Sequence, residues 1–252
     1  MKLQLIRNAA LWLEYGGTSF LIDPMLGEKG AYPPIINTEN DLRNPLVGLP
    51  GEVGQWLKPD AVIVTHLHND HWDEAAVSLL DKEIPVICQP EDEGRIAAQG
   101  FLKMIPAGVE ENFGHTLLFR TGGRHGTGEI GSMMGPVSGF VLKAPGEPVL
   151  YIAGDTIWCE EVREALEQHN PEVVVVNAGG ARFVSGDPII MTGRDVAEVC
   201  RHAPEAKVIA VHMEAINHCL LTREELDKER KANGFGDRVL IPADGEAISL
   251  SQ

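Results

Sequence analysis

The chain has 252 residues and a formal net charge of −16, from 37 acidic against 21 basic side chains. Such a balance repels polyanions, which argues against nonspecific nucleic-acid or anionic-membrane binding, and no run approaches the roughly eighteen apolar residues of a membrane span. A 44% hydrophobic and 23% charged composition is ordinary for a globular protein and predicts one domain over residues 1–252 rather than disorder.

The opening segment, Met1 to Arg7, lacks the apolar core of a leader, so the expected location is the cytoplasm. Leu3–Ile6, Leu11–Tyr15 and Thr18–Ile22 predict three short strands, the last two joined through the hairpin signal Gly16-Gly17. Asp23-Pro24 ends the third. From Pro24 to about Gly54 the chain is rich in Gly, Pro and Asn with little periodicity, which predicts either a functional lid or rim or a mobile surface excursion.

Ala61-Val62-Ile63-Val64 is a buried-strand run that stops abruptly at His66, His68, Asp70, His71 and Asp73. Three imidazoles and a carboxylate crowded at a strand mouth serve no packing purpose, because unpaired imidazoles are costly to desolvate. They predict a metal site. His66 and His68, two apart on extended chain, point the same way, while Asp70 and His71 follow as the chain turns, so one segment can serve two adjacent ions.

Residues 73–80 then predict a helix capped by Asp73, Ile84–Cys88 a strand, Glu91–Gln99 a helix stopped by Gly100, and Phe101–Ile105 extended chain. Thr116–Arg120 is a strand that leads to His125, set among glycines and a further candidate ligand; His115 reads as structural or exposed. Gly139–Lys143 and Val149–Ala153 predict a hairpin, the second strand running into Gly154-Asp155-Thr156. Asp155 fits either a site carboxylate or the cap of the helix over Glu160–His169.

Val173–Val176 predicts a strand buried on both faces, ending at Asn177 and the turn Gly179-Gly180. Thr192–His202 is helical with Thr192 and Asp195 at capping-box spacing, Lys207–Val211 is a buried strand ending at His212, Thr222 to about Asn233 is a second capped helix, and Arg238–Ile241 a last strand. Cys88, Cys159, Cys200 and Cys219 form no C-x-x-C pair and read as reduced thiols.

Four features taken together, Thr-His-x-His-x-Asp-His at Thr65 to His71, a lone His125 after a strand, Gly154-Asp155-Thr156, and a late strand ending at His212, resemble the metallo-β-lactamase-fold superfamily of metal-dependent hydrolases. The resemblance implies an α+β fold, a four-layer αββα sandwich with its site along one edge. Carried over by position, His66, His68 and His125 hold one metal, Asp70, His71 and His212 the other, and Asp155 bridges them. It implies two divalent ions, zinc foremost with manganese or iron as substitutes, and a metal-bridging hydroxide acting on a small ester, lactone or phosphodiester.

Within that reading Asp70 is also a catalytic proton carrier, and Asp73 orients a ligand or caps its helix. His218 competes with His212, which is favoured because it follows the buried strand directly; His218 and Asn177 are the candidate substrate contacts. Trp72-Asp73-Glu74 stands where glyoxalase-II-like thioesterases carry small glycines, and His68 where flavodiiron oxidoreductases carry Glu. Asp70-His71-x-Asp73 is more similar to the branch that includes the ascorbate-phosphate lactonase. Two alternatives stand beside the hydrolase: a mononuclear-iron oxidoreductase of the thiol dioxygenase type, and a non-catalytic metal-binding regulator. The expected partner is a small-molecule substrate.

Overall fold

The computed structural model describes residues 1–250. One sheet begins with β1 (Lys2–Arg7), β2 (Ala10–Tyr15) and β3 (Thr18–Ile22), which are antiparallel, and continues with β4 (Ala61–Val64), β5 (Val86–Cys88) and β6 (Met104–Pro106) parallel to β3. The other takes β7 (Glu110–Phe113), β8 (Thr116–Thr121), β9 (Gly139–Lys143) and β10 (Leu150–Ile152) as an antiparallel run. It then adds β11 (Val173–Asn177), β12 (Lys207–Val211) and β13 (Val239–Leu240) in parallel. β14 (Ala247–Ser249) returns to pair antiparallel with β1, making both sheets seven-stranded.

The strand periodicity of two sorts side chains between layers. Leu3, Leu5, Phe20 and Ile63 of the first sheet meet Phe140, Leu142, Val173 and Val175 of the second in the central core. On the outer face of the first sheet, Leu21, Val62 and Val86 pack with α1 (Glu74–Leu79) and α2 (Glu93–Ala98) through Ala76 and Ile96. After α3 (Gly128–Met134) come α4 (Glu160–His169), α5 (Gly193–His202) and α6 (Arg223–Ala232), which cover Val174, Val176 and Val208 with Val162, Val196 and Leu226. The result is the αββα order of four layers. It explains why Val173 to Val176 are apolar without alternation: both faces of β11 are buried.

The predicted hairpins form as expected. Gly16 and Gly17 have φ of +57° and +77°, the left-handed pair a two-residue turn requires, and β9 pairs with β10. The helix expected over Glu91–Gln99 opens as a single 3₁₀ turn at Pro90–Asp92 before α2. β7, α3 and β14 were not foreseen.

Residues 24–54 are a built rim rather than a loose excursion. At its base, Arg7 is fully buried and donates to the carbonyls of Met25 (2.7 Å), Gly27 (2.9 Å) and Val47 (3.1 Å). Asp73 accepts from the Gly27 N–H at 2.7 Å and the Tyr32 hydroxyl at 3.0 Å while capping α1 through the Ala76 N–H. At its tip, the Asn217 side chain bonds Ile35, Thr38, Asn40 and Asn44. No helix among the described residues is long and apolar enough to cross a membrane.

Candidate metal centre

Several groups at the site reach it by unusual backbone. Asn8, Asp23 and His212 each follow a strand and adopt φ of 59°, 44° and 59°. Left-handed backbone costs a non-glycine residue about 1–2 kcal/mol, so surrounding bonds must impose it. The His212 N–H donates to the Asn8 carbonyl at 2.8 Å, and Asn8 Nδ2 donates to the Asp70 carbonyl at 2.9 Å, tying these bends to the histidine-rich turn. Gly179 lets β11 close on the bend, since a Cβ there would stand 2.2 Å from the His212 carbonyl oxygen.

The side chains converge in two groups, His66 with His68 and His125, and Asp70 with His71, Asp155 and His212; within each, the ligand atoms lie within 4.8 Å of one another. His66 Nε2 is 3.0 Å from His68 Nδ1, and His71 Nε2 is 3.2 Å from His212 Nε2. Asp70 Oδ2 lies 3.1 Å from His212 Nε2. Asp155 reaches both groups: its Oδ2 is 3.4 Å from His125 Nε2, 3.9 Å from His66 Nε2 and 3.2 Å from His71 Nε2, and its Oδ1 is 3.6 Å from His212 Nε2. Tetrahedral bonds of 2.0–2.1 Å separate ligand atoms by about 3.4 Å, and these spacings straddle that value. Lone pairs converging at such distances fit a cation far better than they fit one another.

The ring nitrogens that face away are held. His66 Nδ1 meets the Thr65 hydroxyl at 3.0 Å, His71 Nδ1 the Asp23 carboxylate at 2.8 Å, His125 Nδ1 the Ile189 carbonyl at 2.8 Å and His212 Nδ1 the Cys219 sulfur at 3.3 Å. Each contact leaves Nε2 free to face the centre, the usual arrangement behind a metal-bound imidazole. Asp23 is itself fixed by the Thr65 N–H and hydroxyl, both at 2.8 Å. Neither Asp23 nor Cys219 was read from the sequence as part of the site. The available signal for Asp23 was a carboxylate ending a strand just before the strand that carries His66.

Charge explains what the arrangement wants at its middle. Burial opposes a charge on His71, yet Asp155, Asp23 and Asp70 outweigh it and push the imidazole up to about 10. Burial likewise works against charge on His212, but Asp155 and Cys219 raise it well above its ordinary value. Burial, reinforced by His71, holds His66 well below its ordinary value, and burial lowers His68. Burial also disfavours charge on Asp70 and Asp155, but His71 and His212 hold both carboxyls well below the usual range. The ionised carboxylates thus draw positive charge to the centre, as protons on His71 and His212 or, in their place, as a divalent cation.

A cavity of about 270 Å³ opens over the centre, with His68, Asp70, His125 and Asp155 on its floor and Ile35, Leu67, Met134, Phe183 and Ile189 on its walls. No lysine or arginine lines it. His218 does, with its Nδ1 buried and without a hydrogen-bond partner, and burial takes its pKa down to about 4. Asn177 does not line it; its Nδ2 donates to Asp155 Oδ1 at 2.6 Å, so its amide serves the carboxylate rather than the cavity. Asp155 is no helix cap, since α4 starts from Cys159. His115 is exposed in the turn between β7 and β8.

A four-layer sandwich with seven imidazole and carboxylate donors gathered at one edge defines a metal-dependent hydrolase of the metallo-β-lactamase type. The sequence matches the Beta-lactamase superfamily domain over residues 18–213, and it is 44% identical to the UPF0173 protein YddR of Bacillus subtilis (strain 168), over 99% of this chain and 100% of that one. The chain belongs to the UPF0173 family of metal-dependent hydrolases. Among solved structures, an isothiocyanate hydrolase from Delia radicum gut bacteria shares 42% identity and a TM-score of 0.96 over 100% of both chains. A possible metal-dependent hydrolase from Veillonella parvula DSM 2008 shares 36% identity and a TM-score of 0.96 over 99% of both.

Proposed function

We propose that this chain is a single-domain, dinuclear zinc hydrolase of small neutral molecules with an electrophilic carbon, isothiocyanates first and esters and lactones next. The observation that carries the choice of substrate is the cavity lining. Its walls are mostly apolar and hold no lysine or arginine, so a phosphodiester anion would find no charged partner there besides the centre itself. The likeness to an isothiocyanate hydrolase over the full length of both chains supports the same choice.

His66, His68 and His125 hold one cation and Asp70, His71 and His212 the other, with Asp155 between. Bound there, the pair supplies Lewis acidity and brings the acidity of water close to neutral pH. Asp23, Thr65, Cys219 and Asn177 keep the imidazoles and Asp155 in place. Asp70, which faces both the centre and the cavity, takes a proton from the attacking water at its carboxylate and passes it to the nitrogen, then carries the second proton from the new hydroxyl to the same nitrogen as the C–N bond breaks. The neutral His218 imidazole hydrogen-bonds the substrate heteroatom opposite. The balance is R–N=C=S + H₂O → R–NH₂ + O=C=S, with the C–O bond formed and the C–N bond broken. Two complete donor groups exceed what one iron requires, which favours hydrolysis over thiol oxygenation. Four free cysteines fit a reducing compartment, the cytoplasm.

The test is metal analysis of the purified protein with turnover of alkyl isothiocyanates, esters, lactones and a phosphodiester. Close to two zinc ions per chain, with carbonyl sulfide and amine released, are expected. A zinc-loaded, folded protein that leaves the neutral substrates intact, or prefers the phosphodiester, overturns the reading.

A further inference from the structure

A second cavity, about 290 Å³, adjoins the first and shares Ile35, Asn69 and Asp70 with it. Its remaining lining comes mostly from the rim, through Met25, Pro33, Pro34 and Ile36, with Ile216 from outside it. The polar groups in its lining are largely engaged. The Tyr32 hydroxyl donates to Asp73, and the Asn44 side chain is bonded to Asn217 through both its oxygen and its nitrogen. What this chamber offers a ligand is therefore chiefly apolar surface, next to a carboxylate of the centre.

The partition between the chambers is rigid. Ile35 is held through its own N–H and carbonyl by the Asn217 side chain, at 3.0 Å each. Two residues further on, the strip is tied to the loop that carries Phe183, through the Val184 N–H on the Asn37 carbonyl at 2.8 Å. A cavity of about 150 Å³ lined by aliphatic and aromatic side chains takes up benzene, so this one admits an aryl ring with a short linker.

We infer that the second chamber is the subsite for the apolar substituent of the substrate, with Ile35 and Ile36 as specificity-determining residues and Asn217 as the positioning residue behind them. The inference rests on the hydrolase reading above, and gives it a size preference: the reacting carbon lies over the centre in the first chamber, and an aryl or branched alkyl group passes Ile35 into the second.

The experiment uses calorimetric titration of the zinc-loaded protein with two unreactive mimics, N-methylthiourea and N-(2-phenylethyl)thiourea, alongside turnover of the corresponding isothiocyanates. The phenylethyl mimic should bind about 30-fold more tightly than the methyl one. Ile36→Trp narrows the chamber from its exposed rim and leaves the fold untouched, because Ile36 is 73% exposed; Ile216→Phe narrows it from a buried position in its lining, with thermal unfolding as the control. Both should cut the preference to under about 3-fold while methyl binding stays within about 2-fold. A wild-type protein without the preference, or a preference that survives in both folded variants, overturns the subsite. Preferential binding without hydrolysis of any neutral substrate would keep the subsite and remove the reaction; hydrolysis blind to substituent size would do the reverse.

Discussion

Replacing Asn217 by aspartate should free the tip of the rim without unfolding the sandwich. The amide Nδ2 has two protons shared among three oxygens: the Ile35 carbonyl at 3.0 Å, the Thr38 hydroxyl at 2.8 Å and the Asn40 carbonyl at 3.0 Å. An aspartate keeps the Oδ1 contacts from the Ile35 N–H and Asn44 Nδ2 but donates nothing, and it turns a negative charge toward those three acceptors. Two lost bonds at about 1–1.5 kcal/mol each, plus one carbonyl left unpaired at about 1 kcal/mol, since the Thr38 hydroxyl still serves either the Ile35 or the Asn40 carbonyl, give about 3–4 kcal/mol. That cost stays local. Residues 33–40 belong to neither sheet, and the base of the rim is held independently by Arg7 and Asp73.

Hydrogen exchange read residue by residue is the assay. The Ile35 amide in Asn217→Asp should exchange about 10²–10³-fold faster than in the wild type, while amides of β11 and β12 stay within about 3-fold. Kinetics should follow with a raised KM and a kcat within about 3-fold, since the centre is untouched. Uniform acceleration across both sheets, or an unchanged Ile35 amide, would refute the argument that this side chain acts on the strip.

Three further outcomes follow from the centre. Asp155→Ala should cut bound metal from about two ions to one or fewer and lower hydrolysis by roughly 1,000-fold with circular dichroism unchanged; full activity would remove Asp155 from the set. Asp23→Asn keeps a hydrogen-bonding group at His71 but deletes the charge behind it, so chelator competition should show metal held about 10–100-fold more weakly, with unchanged affinity as the contrary result. His218 stands at about 4 when folded against an ordinary 6.5, so the unfolded chain takes up the proton first and this contribution to stability is complete above pH 6.5 and lost as pH falls toward 4. His218→Gln should therefore lose about 2 kcal/mol less than the wild type in urea unfolding between pH 7 and pH 5, and equal losses would contradict the shift.

What the sequence revealed depended on how local each signal was. The run from His66 to His71 and the strand before it are written in consecutive residues, and His125, Asp155 and His212 each follow a strand that can be read by itself. β14 is three residues defined by the pairing of Lys2 with Ser249, Leu3 with Ile248 and Gln4 with Ala247 across the length of the chain. β7, Glu-Glu-Asn-Phe, lacks β-branched residues and is an edge strand set by its register with β8. α3 contains two glycines and buries no residue, so it carries no amphipathic pattern to find. Asp23 was read as a strand end, which it is; that it bends at φ 44° toward His71 is a tertiary fact.

Strand direction explains why scattered residues meet. β1 and β3 are both antiparallel to β2 and so run the same way, and β4 is parallel to β3. In the other sheet β8 and β10 are both antiparallel to β9, and β11 and β12 run parallel to β10. Asn8, Asp23 and His66 therefore lie just past the C-terminal ends of co-directional strands, and so do His125, Asp155 and His212, while Asn177 closes β11. Strand C-termini along one edge are where ligand sites gather in sheets with parallel neighbours. The oppositely directed β2 and β9 contribute no side chain to either ligand group. The centre is thus a property of direction: a carboxylate or imidazole becomes available to it by following a strand that runs toward this edge, and the same residue after β2 or β9 would lie at the far end of the sandwich.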